Sequence, residues 1–301
     1  MTNVLGHGNV KMGYGFTAGP RMKTYSDRND PLHDAFEKYL CLANDANLED
    51  RFFRHIEMDE YLRKKACKLL RGVKNLRKIT STDINALLTK YSSDERVAKA
   101  RLFLRVLYNT IDEENLVFDA ETEHVIDGGI GEKLRRGKNL LVLSDTTVAG
   151  HSANGSVVNY GSSSLSFGAR SNGCMINFGD VNWVGERISF LINMGKARNF
   201  HYGWEDHYQM MFNFGELANH KEPYFCFSWF GDWTHGELAK RHHEVSDYID
   251  QMREAVENLR NPKDPNIFER LKEFSETFGN REIVFKTLGQ WMDKGDYDIS
   301  V

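Results

Sequence analysis

Val157-Val158-Asn159-Tyr160-Gly161, Met175-Ile176-Asn177-Phe178-Gly179, Leu191-Ile192-Asn193-Met194-Gly195 and Met211-Phe212-Asn213-Phe214-Gly215 are four copies of one phrase. Each has two apolar residues, an Asn, an aromatic residue or Met, and then Gly. The Asn positions are separated by 18, 16 and 20 residues. Similar steps in either direction reach weaker copies at Val125-Ile126-Asp127-Gly128, Leu141-Val142-Leu143 and Phe227-Ser228-Trp229-Phe230-Gly231. Such a period corresponds to one coil of a β-solenoid per repeat.

Coils stacked about 4.8 Å apart turn like residues into columns. An Asn column passes amide hydrogen bonds from rung to rung, which satisfies polar groups that are costly to bury. The Tyr160, Phe178, Met194, Phe214 and Phe230 column is apolar filling. Gly at the next position suits a turn with positive φ, and Gly168, Gly185 and Gly203 predict a second corner. The competing fold is an antiparallel sheet or sandwich with Asn-x-Gly hairpin turns, and the irregular steps count in its favour.

Helical spacing replaces this period on both sides. Asp30-Pro31 opens a helix with a cap followed by Pro. Met58 to Leu76 is amphipathic, Thr80 to Tyr91 reads as a further helix, and Ser92-Ser93-Asp94-Glu95 is a capping box before another. Helical spacing returns from Glu237 to Arg260 and again after Asp264-Pro265, where Gly279 is placed to end the last helix. The expected class is α+β. It comprises a Gly-rich arm over 1–29, a basic helical domain over 30–118, a central single-stranded β-solenoid over 119–236, and an acidic C-terminal helical region over 237–301 that caps or flanks the coil.

The 301 residues carry a net charge of −4, so overall charge demands no polyanionic partner, but its distribution is uneven. Residues 50–105 hold 15 Lys/Arg against 7 Asp/Glu, whereas residues 205–300 hold 11 against 19. Cys41, Cys67, Cys174 and Cys226 form no CxxC motif, which points to reduced thiols. No apolar run approaches a membrane span, and Met1-Thr2-Asn3-Val4 lacks the basic start of a signal peptide. A soluble, cytoplasmic protein with no membrane contact is the expectation.

Three groups of residues invite a chemical reading. Ser162, Asp180, Lys196, Glu216 and Asp232 follow the turn Gly in successive rungs. In that register Glu216 and Asp232 lie at about the 5 Å separation that retaining glycosidases use for acid and nucleophile. The plainer reading is a solvated charge ladder with Lys196 between Asp180 and Glu216. His201, His220 and His235 fall near one corner and suggest a metal site, zinc for example, yet without HxxxH or HExxH they equally serve as corner hydrogen-bonders. Trp183, Trp204, Trp229 and Trp233 suggest either stacking on sugars or bases, or an interface for the helices.

The third group is Arg63, Lys64, Lys65, Lys68, Arg71, Lys74, Arg77 and Lys78, with no acidic residue from Leu62 to Thr82. A helical face this basic suits a phosphate backbone, and Arg96, Lys99, Arg101 and Arg105 would extend it. Against that stands a plainly solvated face, or one docked on the acidic half. GxGxxG, P-loop and GxSxG motifs are absent, so no cofactor is indicated and nucleophilic catalysis finds no support. The function expected is binding or scaffolding, with a nucleic acid, another polyanion or a protein met by the basic helices. The alternative is a hydrolase, glycoside- or ester-cleaving, that uses the carboxylate or histidine column.

Overall fold

The repeated phrase forms short parallel strands because its apolar residues bury on alternate faces and its Asn-x-Gly ending turns the chain. The structure, a computed structural model, describes residues 30–45, 54–120, 122–184, 188–200, 210–218, 223–227, 231–234, 240, 243–279, 284 and 286–287. Strands β1 (Asn115–Phe118), β3 (Asn139–Val142), β5 (Ser156–Asn159), β7 (Cys174–Asn177), β9 (Phe190–Asn193) and β11 (Met210–Asn213) stack in parallel as sheet A. Strands β2 (Gly129–Ile130), β4 (Thr146–Ala149), β6 (Ser163–Phe167), β8 (Asp180–Val184), β10 (Lys196–Phe200) and β12 (Glu216–Leu217) stack in parallel as sheet B. The chain alternates between the two sheets, so it is a parallel β-solenoid and not a sandwich of hairpins.

The register aligns Asn159 with Asn177, Asn177 with Asn193, and Asn193 with Asn213. All four are fully buried. Asn159 Nδ2 donates to Asn177 Oδ1 at 2.8 Å, Asn177 Nδ2 to Asn193 Oδ1 at 2.7 Å, and Asn193 Nδ2 to Asn213 Oδ1 at 2.6 Å. Each Nδ2 also donates to the carbonyl two residues on, at Gly161, Gly179, Gly195 or Gly215. One amide thus closes its own turn and ties it to the next rung.

The turn Gly is required for a different reason from the one the sequence suggests. Gly161, Gly179, Gly195 and Gly215 are not among the residues with positive φ. A Cβ at Gly179 would instead overlap the Gly161 carbonyl oxygen, one at Gly195 the Gly179 oxygen, and one at Gly215 the Gly195 oxygen. Close approach of stacked backbones sets these positions. The second corner does use positive φ, at Gly150 (71°) and Gly168 (74°).

Inside the coil, Val157, Met175, Leu191 and Met211 meet Val181, Val184 and Ala197 of sheet B. The outer face of sheet A is equally apolar, with Val158, Ile176, Ile192 and Phe212. A strand apolar on both sides needs cover on both. That cover comes from α5 (His243–Glu257) and α6 (Ile267–Thr277), whose Ile249, Met252, Val256, Leu271 and Phe274 pack on it. The C-terminal helices therefore flank the sheet on its outer face. Tyr160 and Phe178 stack with ring centroids 5.2 Å apart, and Arg260 lies over Phe178 at 5.3 Å.

The start of the coil is closed by the N-terminal helices α1 (Pro31–Asp45), α2 (Arg54–Arg71), α3 (Ser81–Lys90) and α4 (Arg101–Thr110), which share one apolar core with the coil interior. Asn85 of α3 reaches the edge of β1, where its Nδ2 donates to the Val117 carbonyl at 2.9 Å and its Oδ1 accepts from the Asp119 amide at 3.2 Å. A side-chain amide here takes the place of a preceding rung.

At the other end the parallel stack of sheet A stops at β11; residues 228–230 of the expected rung lie outside the described residues. β13 (Tyr224–Phe227) pairs antiparallel with β11, and β14 (Gly231–Thr234) antiparallel with β13. Tyr224, not another Asn, stands opposite Asn213.

Replacing Asn177 by Ala orphans a donor of Asn159 and the acceptor of Asn193, and is expected to cost about 3 kcal/mol. Gly195→Ala must push two rungs apart and should cost at least as much, whereas Gly137→Ala, which has open space around it and strain at φ 84°, should cost only about 1 kcal/mol. Urea denaturation midpoints of the three variants test this order.

Candidate functional site

The basic face is built by the pattern of α2. Leu62, Ala66, Leu70 and Val73 are buried toward α1 and α4, so the opposite face carries Lys64, Lys68 and Arg71 into solvent. These three span about 10 Å along the axis at a rise of about 1.5 Å per residue. Asn75 in a left-handed conformation (φ 57°) then redirects the chain into a short 3-10 turn over Leu76–Lys78. Lys74, Arg77 and Lys78 are exposed there and extend the run of exposed cations along the chain.

Within this stripe Lys68, Arg71, Lys74, Arg77 and Lys78 have no acidic partner among the described residues. Lys68 and Arg71 lie in the last turn of α2, where the negative end of the helix dipole favours cations. The upstream end is more neutralised. Arg63 pairs with Glu60 at 2.7 Å and Lys64 reaches the same carboxylate at 3.6 Å. The Arg63 hydrogen bonds hold Glu60 well below the usual carboxylate range. Lys65 lies over the Tyr61 ring at 5.1 Å. The face is thus solvated and not docked on the acidic C-terminal helices.

The proposed extension of the patch fails. Arg96 is held by Glu37 and Asp94, at 2.9 and 2.6 Å, and Lys99 donates to Asn44 at 3.3 Å. Arg101 pairs with Asp59 and with Glu132, and Arg105 with Glu132, whose side chain is only 8% exposed. Burial pulls Arg101 down, but the Glu132 and Asp59 carboxylates outweigh it and raise its pKa. This cluster joins α2, α4 and the corner after β2, a structural task that leaves these arginines unavailable to a ligand.

Of the carboxylate pair, Glu216 stands beside Lys196 in the sheet B register, and the two exposed side chains are 3.2 Å apart. Asp232 does not belong to that column. The chain reverses at β13, so Asp232 pairs with Cys226 in sheet A, and the register that would bring the two carboxylates together is absent. His201, His220 and His235 lie outside the described residues, as do Trp204 and Trp229. Among the described residues no group of three or more His, Cys, Asp or Glu is placed to hold a metal. Nor is any described helix long and apolar enough to cross a membrane.

Sequence reasoning missed a groove between α6 and the corner that precedes the sheet A strands, lined by Asn139, Asn154, Asn172 and Ser189 among others. A signal was present. Asn154-Gly155 and Asn172-Gly173 are 18 residues apart, the same step that separates Asn159 from Asn177. No protein-family model, curated protein or solved structure matches the chain.

The two kinds of cation respond differently to substitution. Glu132→Ala removes the acidic partner of the partly buried Arg105 and leaves Arg101 with Asp59 alone, and is expected to destabilise by about 3 kcal/mol. Lys68→Glu with Arg71→Glu should stay within about 0.5 kcal/mol of wild type, as for exposed sites generally. Thermal and urea unfolding of both variants measure the difference.

Proposed function

We propose that the protein is a binding module: a β-solenoid frame that presents a cationic helical face to a polyanion such as a nucleic acid. The observation that carries this reading is the stripe of Lys64, Lys68, Arg71, Lys74, Arg77 and Lys78, all exposed. Five of them have no acidic partner among the described residues. Unpaired cations repel one another, and a run with no acidic residue between Leu62 and Thr82 forgoes the neutralisation seen just upstream at Glu60. A phosphate or sulfate chain supplies the missing counter-charge and releases bound counterions as it does so. Anchoring through Leu62, Ala66, Leu70 and Val73 keeps the stripe at fixed spacing without taking its charges out of water. The carboxylate form of the hydrolase alternative lacks a supporting geometry among the described residues, since Glu216 is an exposed ion-pair partner and Asp232 stands in the other sheet.

Fluorescence anisotropy with a labelled DNA duplex, titrated at several salt concentrations, tests the reading. Six cations on phosphates give a slope of log affinity against log salt of about −5, and reversal of Lys64, Lys68 and Arg71 to Glu reduces it to about −3 or less. An affinity and slope that do not change in the triple variant would contradict the proposal.

A further inference from the structure

The groove beneath α6 has a chemistry unlike that of the basic face. It measures about 1020 Å³, at the upper end of the range of about 300–1,000 Å³ for small-ligand sites and large enough for several sugar rings. Its floor carries a short hydrogen-bonded row of polar side chains, Asn154, Asn172 and Ser189, of which the two Asn are exposed. Asn172 Nδ2 donates to Asn154 Oδ1 at 3.3 Å, and Ser189 Oγ to Asn172 Oδ1 at 3.1 Å. A separate pair lies at the start of the strands, where Asn139 Nδ2 donates to Asn115 Oδ1 at 2.9 Å. A side-chain amide offers two donors and two acceptor lone pairs, so these contacts leave most of the capacity of Asn154 and Asn172 open to a ligand.

We infer that this groove is a binding site for a neutral, polyhydroxylated chain, an oligosaccharide laid along the stack. Three observations select that class. The charged residues that line it are balanced in number, Glu114, Glu269 and Glu276 against Arg136, Lys138 and Lys272. The Lys138 ammonium is moreover turned to the carbonyls of Ile111 and Glu113, at 2.7 Å each. A polyanion gains nothing here, which separates this site from the basic face and makes it independent of the reading given for that face. Second, the strand backbones under the groove are already paired from rung to rung. The Ser156 amide donates to Lys138, and those of Asn172 and Gly173 to Ala153. Among the described residues, these paired rungs offer a peptide no backbone edge to which it could add as a strand. Third, the half-buried ring of Phe268 stands at the wall and offers an apolar surface to the C–H face of a sugar.

The floor is also preorganised. A Cβ on Gly173 would overlap the Gly155 carbonyl oxygen, so the rungs are locked in contact and carry their amides at a repeat of about 4.8 Å. A ligand whose hydroxyls recur at a comparable interval meets donors that need little further ordering, which lowers the cost of binding.

Saturation-transfer NMR on the full chain, with cellohexaose, chitohexaose and maltohexaose as probes, tests the inference. At least one hexaose is expected to show transfer that the Asn154→Ala, Asn172→Ala double variant weakens tenfold or more while its melting temperature and duplex binding stay those of wild type. Asn154→Trp, which places bulk on the floor from an exposed position, should abolish the signal. If the double variant is destabilised, the Trp variant alone decides. Absence of transfer from all three hexaoses overturns the proposal. So does transfer that survives the Trp substitution, or equal competition by an uncharged polar hexapeptide.

Discussion

One hydrogen bond, repeated, organises the molecule: the amide of a buried Asn donating to the amide of the Asn one rung on. It is made inside the coil, where an unpaired amide would carry the full cost of desolvation, so it tolerates no slip in register. A slip by one residue would also turn Met175, Leu191 and Met211 out of the interior and bring Ile176, Ile192 and Phe212 into it. Both faces of sheet A being apolar, that alternation alone would discriminate weakly between registers. The Asn column removes the ambiguity, and the Gly column permits the close stacking it needs.

A ladder of this kind has a direction and two ends, and each end is handled differently. At the start, Val142 stands opposite Asn159, whose Oδ1 has no hydrogen-bond partner among the described residues. The edge of β1 is covered by α3, with Asn85 imitating a neighbouring strand. At the far end the chain abandons parallel stacking for the antiparallel hairpin of β13 and β14. Exposed strand edges invite association, and the N-terminal helices and this hairpin together hide the two ends of the parallel stack of sheet A.

The stacking was legible in the sequence because a column is a periodic object: Asn159, Asn177, Asn193 and Asn213 announce it before any coordinate is known. Strand direction is not periodic. Phe227 to Gly231 resembles another rung, yet nothing local distinguishes a coil that continues from one that folds back, and Asp232 was misplaced with it. The cover on sheet A was readable in principle, since β7, β9 and β11 are buried at every residue, a pattern that requires helices on the outside. The basic stripe survived in part. Lys68, Arg71, Lys74, Arg77 and Lys78 are exposed as their spacing suggests, but Arg101 and Arg105 sit on the α4 side that meets Glu132, a partner 27 to 31 residues away that no local pattern reveals.

Frame and face are distinct in this structure: the coil is the frame, and the proposed recognition surfaces are solvent-facing side chains on helices and corners. All of this assumes that the Asn side chains act as one connected column. A double-mutant cycle on Asn177 and Asn193, followed by urea denaturation, addresses that directly. If the two amides are bonded, the double Ala variant is destabilised by about 1–2 kcal/mol less than the sum of the single variants, because the second substitution removes a partner already orphaned by the first. Single-variant losses that add to within about 0.5 kcal/mol would mean that the two residues do not touch, and would contradict the stacked coil itself.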